Sequence, residues 1–289
     1  LDFKTLASAY VTYATNLDFA RKNSNRAGDP SKGVYSNRLF VDLLNENTLN
    51  YKKEIKGHSI GLLAGFTAQK TTVKVEQATG INYPDDNITT LNTALTKDQA
   101  GTFNTRNQIG LVSYLGRVTY GFQNKYLLAA SYRADGSSYF APGKKWGYFP
   151  SVSAGWVASE EKFLKKISWL SQLKFRGSYG ATGNNRIVDF AFVDLLYGAN
   201  YPLGAGTCTV TAGQVPSREI LSNPDITWER TFQYNGGLDL SLFKNALTFG
   251  LDIYRSKTDQ LLLRQSTLGF LGVPQTWNNI GSLQNDGIE

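Results

Sequence analysis

The feature that most constrains this chain is an alternation of apolar and polar residues with period two, which recurs along the whole sequence. Successive side chains of a β-strand point to opposite faces, so this period predicts strands with one apolar and one polar face. Between Gln172 and Thr182 the odd positions are apolar or small, whereas the even positions carry Lys174 and Arg176. Comparable patterns predict about ten strands, near 3–13, 39–51, 60–68, 112–122, 126–132, 146–156, 172–182, 228–241, 247–254 and 279–289.

The length of these strands and the order of their connections indicate a membrane β-barrel wall. Many of the patterns run for ten or more residues, about the length a tilted strand needs to cross a bilayer. Short links at 55–57, 123–124 and 244–245 alternate with long polar stretches at 16–34, 77–105, 135–145, 183–226 and 263–278. The link 159–171 is intermediate, and its pattern predicts a short amphipathic helix. Tight turns at one end and long loops at the other are typical of outer-membrane barrels.

Composition excludes several other classes of protein. Charged residues make up 18% of the chain and aromatic residues 13%, a balance that argues against a disordered segment. No apolar run reaches the roughly 18–20 residues that a membrane-spanning helix requires. The net charge is +7, but the basic residues are single or in pairs such as Lys52-Lys53. Nucleic-acid binding needs a basic cluster, so no nucleic-acid partner is expected.

No arrangement of residues in the sequence supports a catalytic or metal site. The segment 57–61 fits the G-x-S-x-G pattern of hydrolases, but His58 is the only histidine and a strand pattern follows it. A hydrolase needs a helix after this turn and a separate histidine. Cys208 is the only cysteine, so neither an internal disulfide nor a zinc site is expected. We therefore expect no enzyme activity, no catalytic residue, no metal and no cofactor.

A resemblance to a known family rests on linked phrases of sequence. The segment 124–185 reads NKYLLAASYRADGSSYF, then WGYFPSVSAGWVASEEKF, then LSQLKFRGSYGATGNN. It is followed by NPDITWERT at 223–231 and NIGSLQNDGIE at 279–289. Together these stretches resemble the barrel of SusC/RagA-type TonB-dependent transporters of Bacteroidota outer membranes. The resemblance covers approximately residues 36–289.

The resemblance implies an antiparallel transmembrane barrel of 22 strands, of which this all-β chain would supply about ten. It also implies location in the outer membrane of a Gram-negative bacterium and import of glycans or peptides. The implied partners are a SusD-like lipoprotein lid, the TonB complex acting through a plug domain, and outer-membrane lipids. On this basis residues 1–289 are expected to be a partial barrel domain, with the plug and the barrel C-terminus outside the chain.

Candidate functional residues follow from this expected orientation. Polar or small residues on the inward face would line the lumen: Ser113, Arg117, Thr119, Ser131, Arg133, Lys174 and Arg176. Aromatic residues on the long loops would be available to stack on a sugar or peptide: Tyr139, Phe140, Tyr197 and Tyr201. Further aromatic residues near strand ends would form interfacial belts: Tyr10, Tyr13, Trp146, Tyr148, Trp156 and Trp228.

Two alternatives remain open at the level of sequence. A chain with ten strands could close a complete small outer-membrane barrel that acts as an enzyme or adhesin. The same alternation could also form a soluble carbohydrate-binding β-sandwich, in which the apolar faces point inward. The sandwich requires shorter strands than those predicted here, since globular strands average about five or six residues.

Overall fold

A computed structural model describes residues 1–24, 26–194, 196–202, 210–216 and 220–289, with the backbone alone described for 196–202 and 210–216. The described chain is built from β-strands and three single-turn 3₁₀ helices, Leu91–Thr93, Ala158–Glu160 and Gly269–Leu271. None of these helices is long and apolar enough to cross a membrane. The strands are β1 (Asp2–Ala20), β2 (Lys32–Ile55), β3 (His58–Ile81), β4 (Thr96–Phe122), β5 (Tyr126–Ser137), β6 (Trp146–Val157), β7 (Leu170–Asn184), β8 (Leu196–Pro202), β9 (Val210–Pro216), β10 (Glu229–Leu242), β11 (Leu247–Asp259), β12 (Leu262–Ser266), β13 (Gln275–Asn279) and β14 (Ser282–Ile288).

Ten of the strands form one sheet in the order β1-β2-β3-β4-β5-β6-β7-β10-β11-β14. Strands that are adjacent in this order are also consecutive in sequence, apart from two inserted hairpins. Those hairpins, β8–β9 and β12–β13, form separate two-stranded sheets inside the connections that follow β7 and β11. The sequence-based prediction of an all-β chain with about ten long strands in one sheet is confirmed.

Short turns join the strands at one end of the sheet. The β2–β3 turn has positive φ at Lys56 and Gly57, and the β4–β5 turn has positive φ at Gln123 and Asn124. Left-handed backbone at successive turn residues matches the twist of a hairpin, so these links can be tight. The β10–β11 turn uses the same device at Phe243, Lys244 and Asn245. The predicted alternation of short and long links is confirmed.

Three details differ from the sequence-based expectation. The link 158–169 contains a 3₁₀ turn and further hydrogen-bonded turns instead of an amphipathic helix, because only the amide of Lys165 reaches back four residues, to the carbonyl of Glu161. Strands β2, β3 and β4 extend over 24, 24 and 27 residues, well beyond the apolar alternation. The two inserted hairpins lie in stretches that were expected to be loops.

The chain divides into two compact units. One contains residues 1–5, 46–67 and 111–289. The other contains residues 6–45 and 68–110 and so includes the β1–β2 and β3–β4 connections. In this second unit Asp42 accepts hydrogen bonds from Gln69 Nε2 (3.0 Å) and Thr71 Oγ1 (2.5 Å). These bonds join β2 and β3 beyond the apolar part of the strands.

Strand register in the larger unit gives its sheet two chemically different faces. Directly paired residues share a face, so pairs such as Ser131↔Ser151 and Gly155↔Arg176 can be followed from β4 to β14. The face that we call the apolar face presents large exposed side chains: Tyr114, Val118, Leu128, Tyr132, Tyr148, Val152, Phe175, Tyr234, Phe249, Leu251 and Ile253. The opposite face, the polar face, carries Arg117, Ser131, Arg133, Ser153, Lys174, Arg176, Ser178, Asn235, Asp239 and Asp252.

Candidate functional site

The polar face brings together the four basic residues that the sequence singled out. Arg117 is paired with Ser131 across β4 and β5, and Arg133 lies two residues further along β5 on the same face. Arg176 and Lys174 reach that face from β7, where Arg176 is paired with Gly155. Around Arg176 the polar face encloses a concavity of about 820 Å³. The four predicted basic residues therefore share one surface.

Arg176 is the centre of an ion cluster that covers three strands. Its Nε lies 3.3 Å from a carboxylate oxygen of Asp239 on β10. Its Nη1 lies 2.5 Å from Asp252 Oδ1 on β11, and its Nη2 donates to Asp252 Oδ2 (2.6 Å). A guanidinium that pairs with two carboxylates has a fixed orientation, because its five donors lie in one plane. The cluster therefore presents oriented carboxylate and guanidinium groups to the concavity.

A glycine makes this cluster feasible. Gly237 is the residue of β10 that pairs with both Arg176 and Asp252. A Cβ atom at position 237 would lie 2.6 Å from Arg176 Cζ, closer than van der Waals contact allows. The missing side chain lets the guanidinium cross β10 and reach the next strand.

The other predicted basic residues have different surroundings. Arg133 Nε donates to both oxygens of Asp135 (2.7 and 2.9 Å), and its Nη2 donates to Ser113 Oγ (3.3 Å). Lys174 is paired in register with Asp239, yet that carboxylate bonds to Arg176. Among the described residues, neither Lys174 nor Arg117 forms an ion pair.

Hydroxyl and amide side chains link neighbouring strands across the same face. Ser131 and Ser151 share a hydrogen bond of 2.7 Å, and Thr231 and Thr258 share one of 2.8 Å. Asn184 Nδ2 donates to Glu229 Oε1 (3.1 Å) nearer the long connections. Because these groups bond to one another, the polar face holds its side chains in place without burying them in a core.

The long connections have a hydrophobic core of their own, which we call the loop core. Its buried members are Phe140, Phe149, Ile187, Ala191, Ile226, Trp228 and Leu262. The Trp228 ring packs against Phe140 and Phe149 with centroid distances of 5.3 and 5.5 Å. Its Nε1 donates to the carbonyl of Lys145 (2.9 Å), which satisfies the buried indole N–H. The loop core therefore fixes the connections after β5 and β7 to each other.

The segment 223–228 is tied to β13 by side-chain amides. Asn223 Nδ2 donates to the carbonyl of Trp277 (2.9 Å), and its Oδ1 accepts from the amide of Asp225 (3.0 Å). Asn279 Nδ2 donates to the carbonyl of Thr227 (2.9 Å). These bonds give the NPDITW stretch a structural role, which is to seat Trp228 in the loop core.

The predicted loop aromatics divide between buried and undescribed positions. Phe140 is fully buried in the loop core and offers no surface to a ligand. Tyr139 is partly buried against the same core, and burial raises the pKa of its hydroxyl, with a further contribution from the Asp189 carboxylate. Tyr197 and Tyr201 belong to β8, and their side chains lie outside the described residues.

Aromatic residues form two groups on the apolar face. Near the short turns, Trp156 stacks on Phe175 (5.7 Å) and Phe122 on Tyr126 (6.4 Å). Near the long connections, Tyr132 stacks on Tyr148 (6.1 Å). Trp146, Tyr148 and Trp156 are exposed residues near the ends of β6, and their place in an interfacial belt stays a prediction. The same prediction is wrong for Trp228, because it is buried in the loop core.

Sequence reasoning missed the carboxylates that complete the ion cluster. Asp239 and Asp252 fall on the polar side of the alternation in their strands, but nothing local distinguishes them from other polar residues. Their partner lies 63 residues away from Asp239 and 76 from Asp252. The available signal was the alternation itself, which places Asp239 and Asp252 on the same face as Arg176.

Comparisons with known proteins agree on one family. The family model described as "TonB dependent receptor-like, beta-barrel" matches residues 1–289. A TonB-dependent receptor of Formosa agariphila is 37% identical over 291 residues, which cover 100% of this chain and 27% of that protein. The TonB-dependent receptor SusC of Bacteroides thetaiotaomicron is 40% identical over 191 residues, which cover 64% of this chain and 18% of that protein.

A solved structure extends the likeness to the backbone. The RagAB peptide transporter structure superposes with a TM-score of 0.85 and 25% identity, over 99% of this chain and 31% of that chain. This chain therefore spans between about a quarter and a third of the length of the proteins that it matches over its whole length.

Proposed function

We propose that this chain, which belongs to the TonB-dependent receptor-like β-barrel family, forms part of the wall and extracellular loops of an active importer. Barrels of this family lie in the outer membrane of Gram-negative bacteria, and SusC is a protein of a Bacteroides species. The proposed location of this chain is the outer membrane of a Bacteroidota cell.

The observation that carries the proposal is the separation of the sheet into two faces. On the apolar face large side chains remain exposed, as at Val152 (50%), Leu128 (50%) and Phe249 (56%). Water would penalise such a surface by about 25 cal/mol per Å² of apolar area, whereas lipid would not. The polar face carries the ion cluster and suits a water-filled or protein-filled lumen. A soluble sandwich would need a second layer over the apolar face.

We infer that the cargo is a peptide or a glycan, captured with a SusD-like surface lipoprotein. The RagAB structure is that of a peptide transporter, which supports peptides as cargo. The charges of Lys174 and Arg117 and the oriented carboxylates of the ion cluster suit a ligand with both amide and charged groups. Energy would come from TonB acting on a plug domain that lies outside residues 1–289. Neither a catalytic role nor a cofactor forms part of this function.

The orientation of the two faces can be tested with neighbouring residues on one strand. Val152→Cys and Ser153→Cys would be made in the whole protein, after removal of other cysteines, including Cys208→Ser. In intact outer membranes, Ser153→Cys should react with a water-soluble maleimide, while Val152→Cys should react with a lipophilic reagent. Both cysteines should react equally after unfolding in hot detergent. Equal reaction with the maleimide in intact membranes would contradict the proposed wall.

The cargo and partners need a separate experiment. The whole protein, tagged and purified from outer membranes, should retain a surface lipoprotein, and bound cargo should be identified by mass spectrometry. Cells should take up isotope-labelled peptides or oligosaccharides, and deletion of TonB should abolish that uptake. Uptake that persists without TonB would contradict active import. Retention of neither class of cargo would contradict the proposed substrates while leaving the barrel wall intact.

A further inference from the structure

Three cations interrupt the apolar face where it approaches the long connections. Arg230 lies on β10, and Arg255 and Lys257 lie on the adjacent strand β11. Register places Arg255 opposite Tyr234 and Lys257 opposite Phe232, so all five side chains share the apolar face. We call Arg230, Arg255 and Lys257 the cation cluster. The face changes from apolar to charged within one step, between Ile253 and Arg255.

Aromatic residues beside the cation cluster indicate its depth in the membrane. Tyr179 on β7 packs against Tyr234 with a centroid distance of 4.8 Å and stacks on Phe232 at 6.5 Å. Tyrosine side chains collect at the level of lipid headgroups, where the ring meets lipid and the hydroxyl meets water. The cations beside these rings would therefore lie among the headgroups.

The length of β11 indicates the same depth in the membrane. From Leu247, beside the short turn, to Arg255 the chain advances eight residues, which is about 26 Å along a strand. With a strand tilt of about 40°, this is a climb of about 20 Å, comparable to the apolar band of about 25 Å in outer-membrane barrels. The cation cluster thus lies at the outer edge of the band, on the side of the long connections.

Two carboxylates hold the cations without cancelling their charge. Arg255 donates to Asp286 (2.8 and 3.3 Å), and Lys257 Nζ lies 3.0 Å from Asp259. Arg230 donates to Gln260 (3.4 Å) and lies 6.0 Å from the Phe232 ring centroid. Three cations and two carboxylates leave one positive charge. Arg255 and Lys257 retain 62% and 48% of their side-chain exposure, so both keep donors free for another anion.

We propose that the cation cluster binds the phosphate group of an outer-leaflet lipid, with the acyl chains lying along Tyr234 and Ile253. Phosphate oxygens accept strong hydrogen bonds from guanidinium and ammonium groups, and those groups attract anionic headgroups near a membrane surface. The inference rests on the proposed orientation of the apolar face toward lipid, but it is independent of the cargo. It assigns a lipid-binding role to residues that the proposed function does not use.

The test uses the whole protein in detergent micelles and a phosphorylated lipid A as the probe, with bound lipid measured by native mass spectrometry. Arg230→Gln and Lys257→Gln should each weaken binding about fivefold, the effect of one cation near an anionic surface. Asp259→Asn should strengthen binding, because it removes a competing carboxylate. The matched control is Lys165→Gln, since Lys165 is also exposed and also ion-paired, to Glu160 (2.7 Å), but belongs to the short link 158–169. It should leave lipid binding unchanged.

Several results would overturn the inference. The same lipid after phosphatase treatment should bind at least fivefold more weakly to the unmodified protein, and equal binding would exclude phosphate recognition. Inorganic phosphate that binds as tightly as the lipid would show an anion site without lipid specificity. Weaker binding by Asp259→Asn would contradict the proposed competition between Asp259 and the phosphate for Lys257. The cysteine pair at 152 and 153 reports separately on the wall, so failure of the lipid site and failure of the proposed function are distinguishable.

Discussion

The side chains of Arg176 and Asp252 meet although the strands that carry them, β7 and β11, are separated by β10. The contact passes over Gly237, which is paired in register with both residues. Asp239 on β10 holds the same guanidinium from a second direction. The ion cluster therefore depends on a glycine that contributes no side-chain contact itself. A side chain added at position 237 and the loss of the Arg176 side chain should therefore have non-additive effects on stability.

Gly237→Ala is expected to destabilise the folded barrel. The new Cβ would overlap the Arg176 guanidinium, so the guanidinium must shift. We expect a cost of about 1 kcal/mol or less, because the guanidinium ends a flexible, partly exposed side chain and partly exposed ion pairs contribute little. The measurement is the temperature at which the whole protein stops migrating as a folded barrel in detergent gels.

The Arg176→Ala background provides the control for this substitution. Without the guanidinium the Cβ has room, so Gly237→Ala should then cost much less than in the unmodified protein. Gly236 lies beside Gly237 and has open space around its Cβ position. Gly236→Ala should therefore have little effect in either background. Equal costs of Gly237→Ala with and without Arg176 would contradict the proposed coupling.

Truncation of Trp228 should release the long connections without unfolding the strands. Replacing a large aromatic residue in a packed core by alanine lowers the free energy of unfolding by about 3–5 kcal/mol. Trp228→Ala would also leave the carbonyl of Lys145 without its indole donor. Trp228→Ala should therefore expose residues 138–145, 185–194 and 220–228 to proteases. The readout is limited proteolysis of intact outer membranes, with cleavage sites identified by mass spectrometry.

An exposed aromatic residue on another connection serves as the comparison for Trp228. Phe270 is 83% exposed in the turn between β12 and β13. Phe270→Ala should leave the proteolysis pattern unchanged. If Trp228→Ala left the pattern unchanged as well, or abolished the folded mobility of the barrel, the loop core would not have the separate role described here.

The sequence was sufficient to predict the family and the sheet because both depend on local signals. Alternation gave the ten strands, and turns such as 123–124 could be located by their polar residues between apolar runs. The resemblance to SusC/RagA-type transporters, drawn from 124–185 and 223–231, is confirmed by the family match and by the identity with SusC. The alternatives of a complete small barrel and a soluble sandwich are not supported by these matches.

Contacts between distant segments were beyond the reach of the sequence. Nothing local distinguishes Phe140, which is buried, from Tyr139, which is only partly buried, because the loop core is assembled from segments as far apart as Phe140 and Leu262, which are 122 residues apart. The same holds for Trp228, which was expected in an aromatic belt. The partners of Arg176 also depend on register across three strands. Alternation predicts the face of a residue but not its neighbours on that face.

Adjacent positions on β5 should tolerate a charge very differently. Leu128 is exposed on the apolar face, and Ala129 lies on the polar face opposite Thr119. Arginine at a lipid-facing position costs about 2–4 kcal/mol at the bilayer midplane and about 0–1 kcal/mol near the interfaces, whereas arginine on the lumen side is tolerated. Leu128 is two residues from Tyr126 at the start of β5, so we expect a cost below the midplane range. Leu128→Arg should therefore reduce the amount of folded barrel in outer membranes, and Ala129→Arg should not. Equal yields would show that the apolar face does not meet lipid.

Glu161 forms pH-dependent hydrogen bonds at the short-turn end of the sheet. Its carboxylate accepts from Tyr126 Oη (2.7 Å), Lys125 Nζ (3.0 Å) and Trp156 Nε1 (3.4 Å). These hydrogen bonds, first that from Tyr126 and then that from Lys125, hold the pKa of Glu161 below its ordinary value. A carboxyl whose pKa is lower in the folded than in the unfolded protein stabilises the fold at pH values above its pKa in the unfolded chain. The contribution is lost as pH falls through the folded pKa.

We therefore expect the whole protein to resist heat better than Glu161→Gln at neutral pH, and the difference to vanish as the solution becomes acidic. Glutamine still accepts hydrogen bonds but carries no charge, so the comparison isolates ionisation. Heat resistance of the folded form in detergent gels, measured across the acidic range, gives the result. Glu160→Gln is the matched control, because Glu160 forms an exposed pair with Lys165 and such pairs contribute little. A difference between the unmodified protein and Glu161→Gln that grows as pH falls would contradict this role, since protonation makes the two side chains alike in charge.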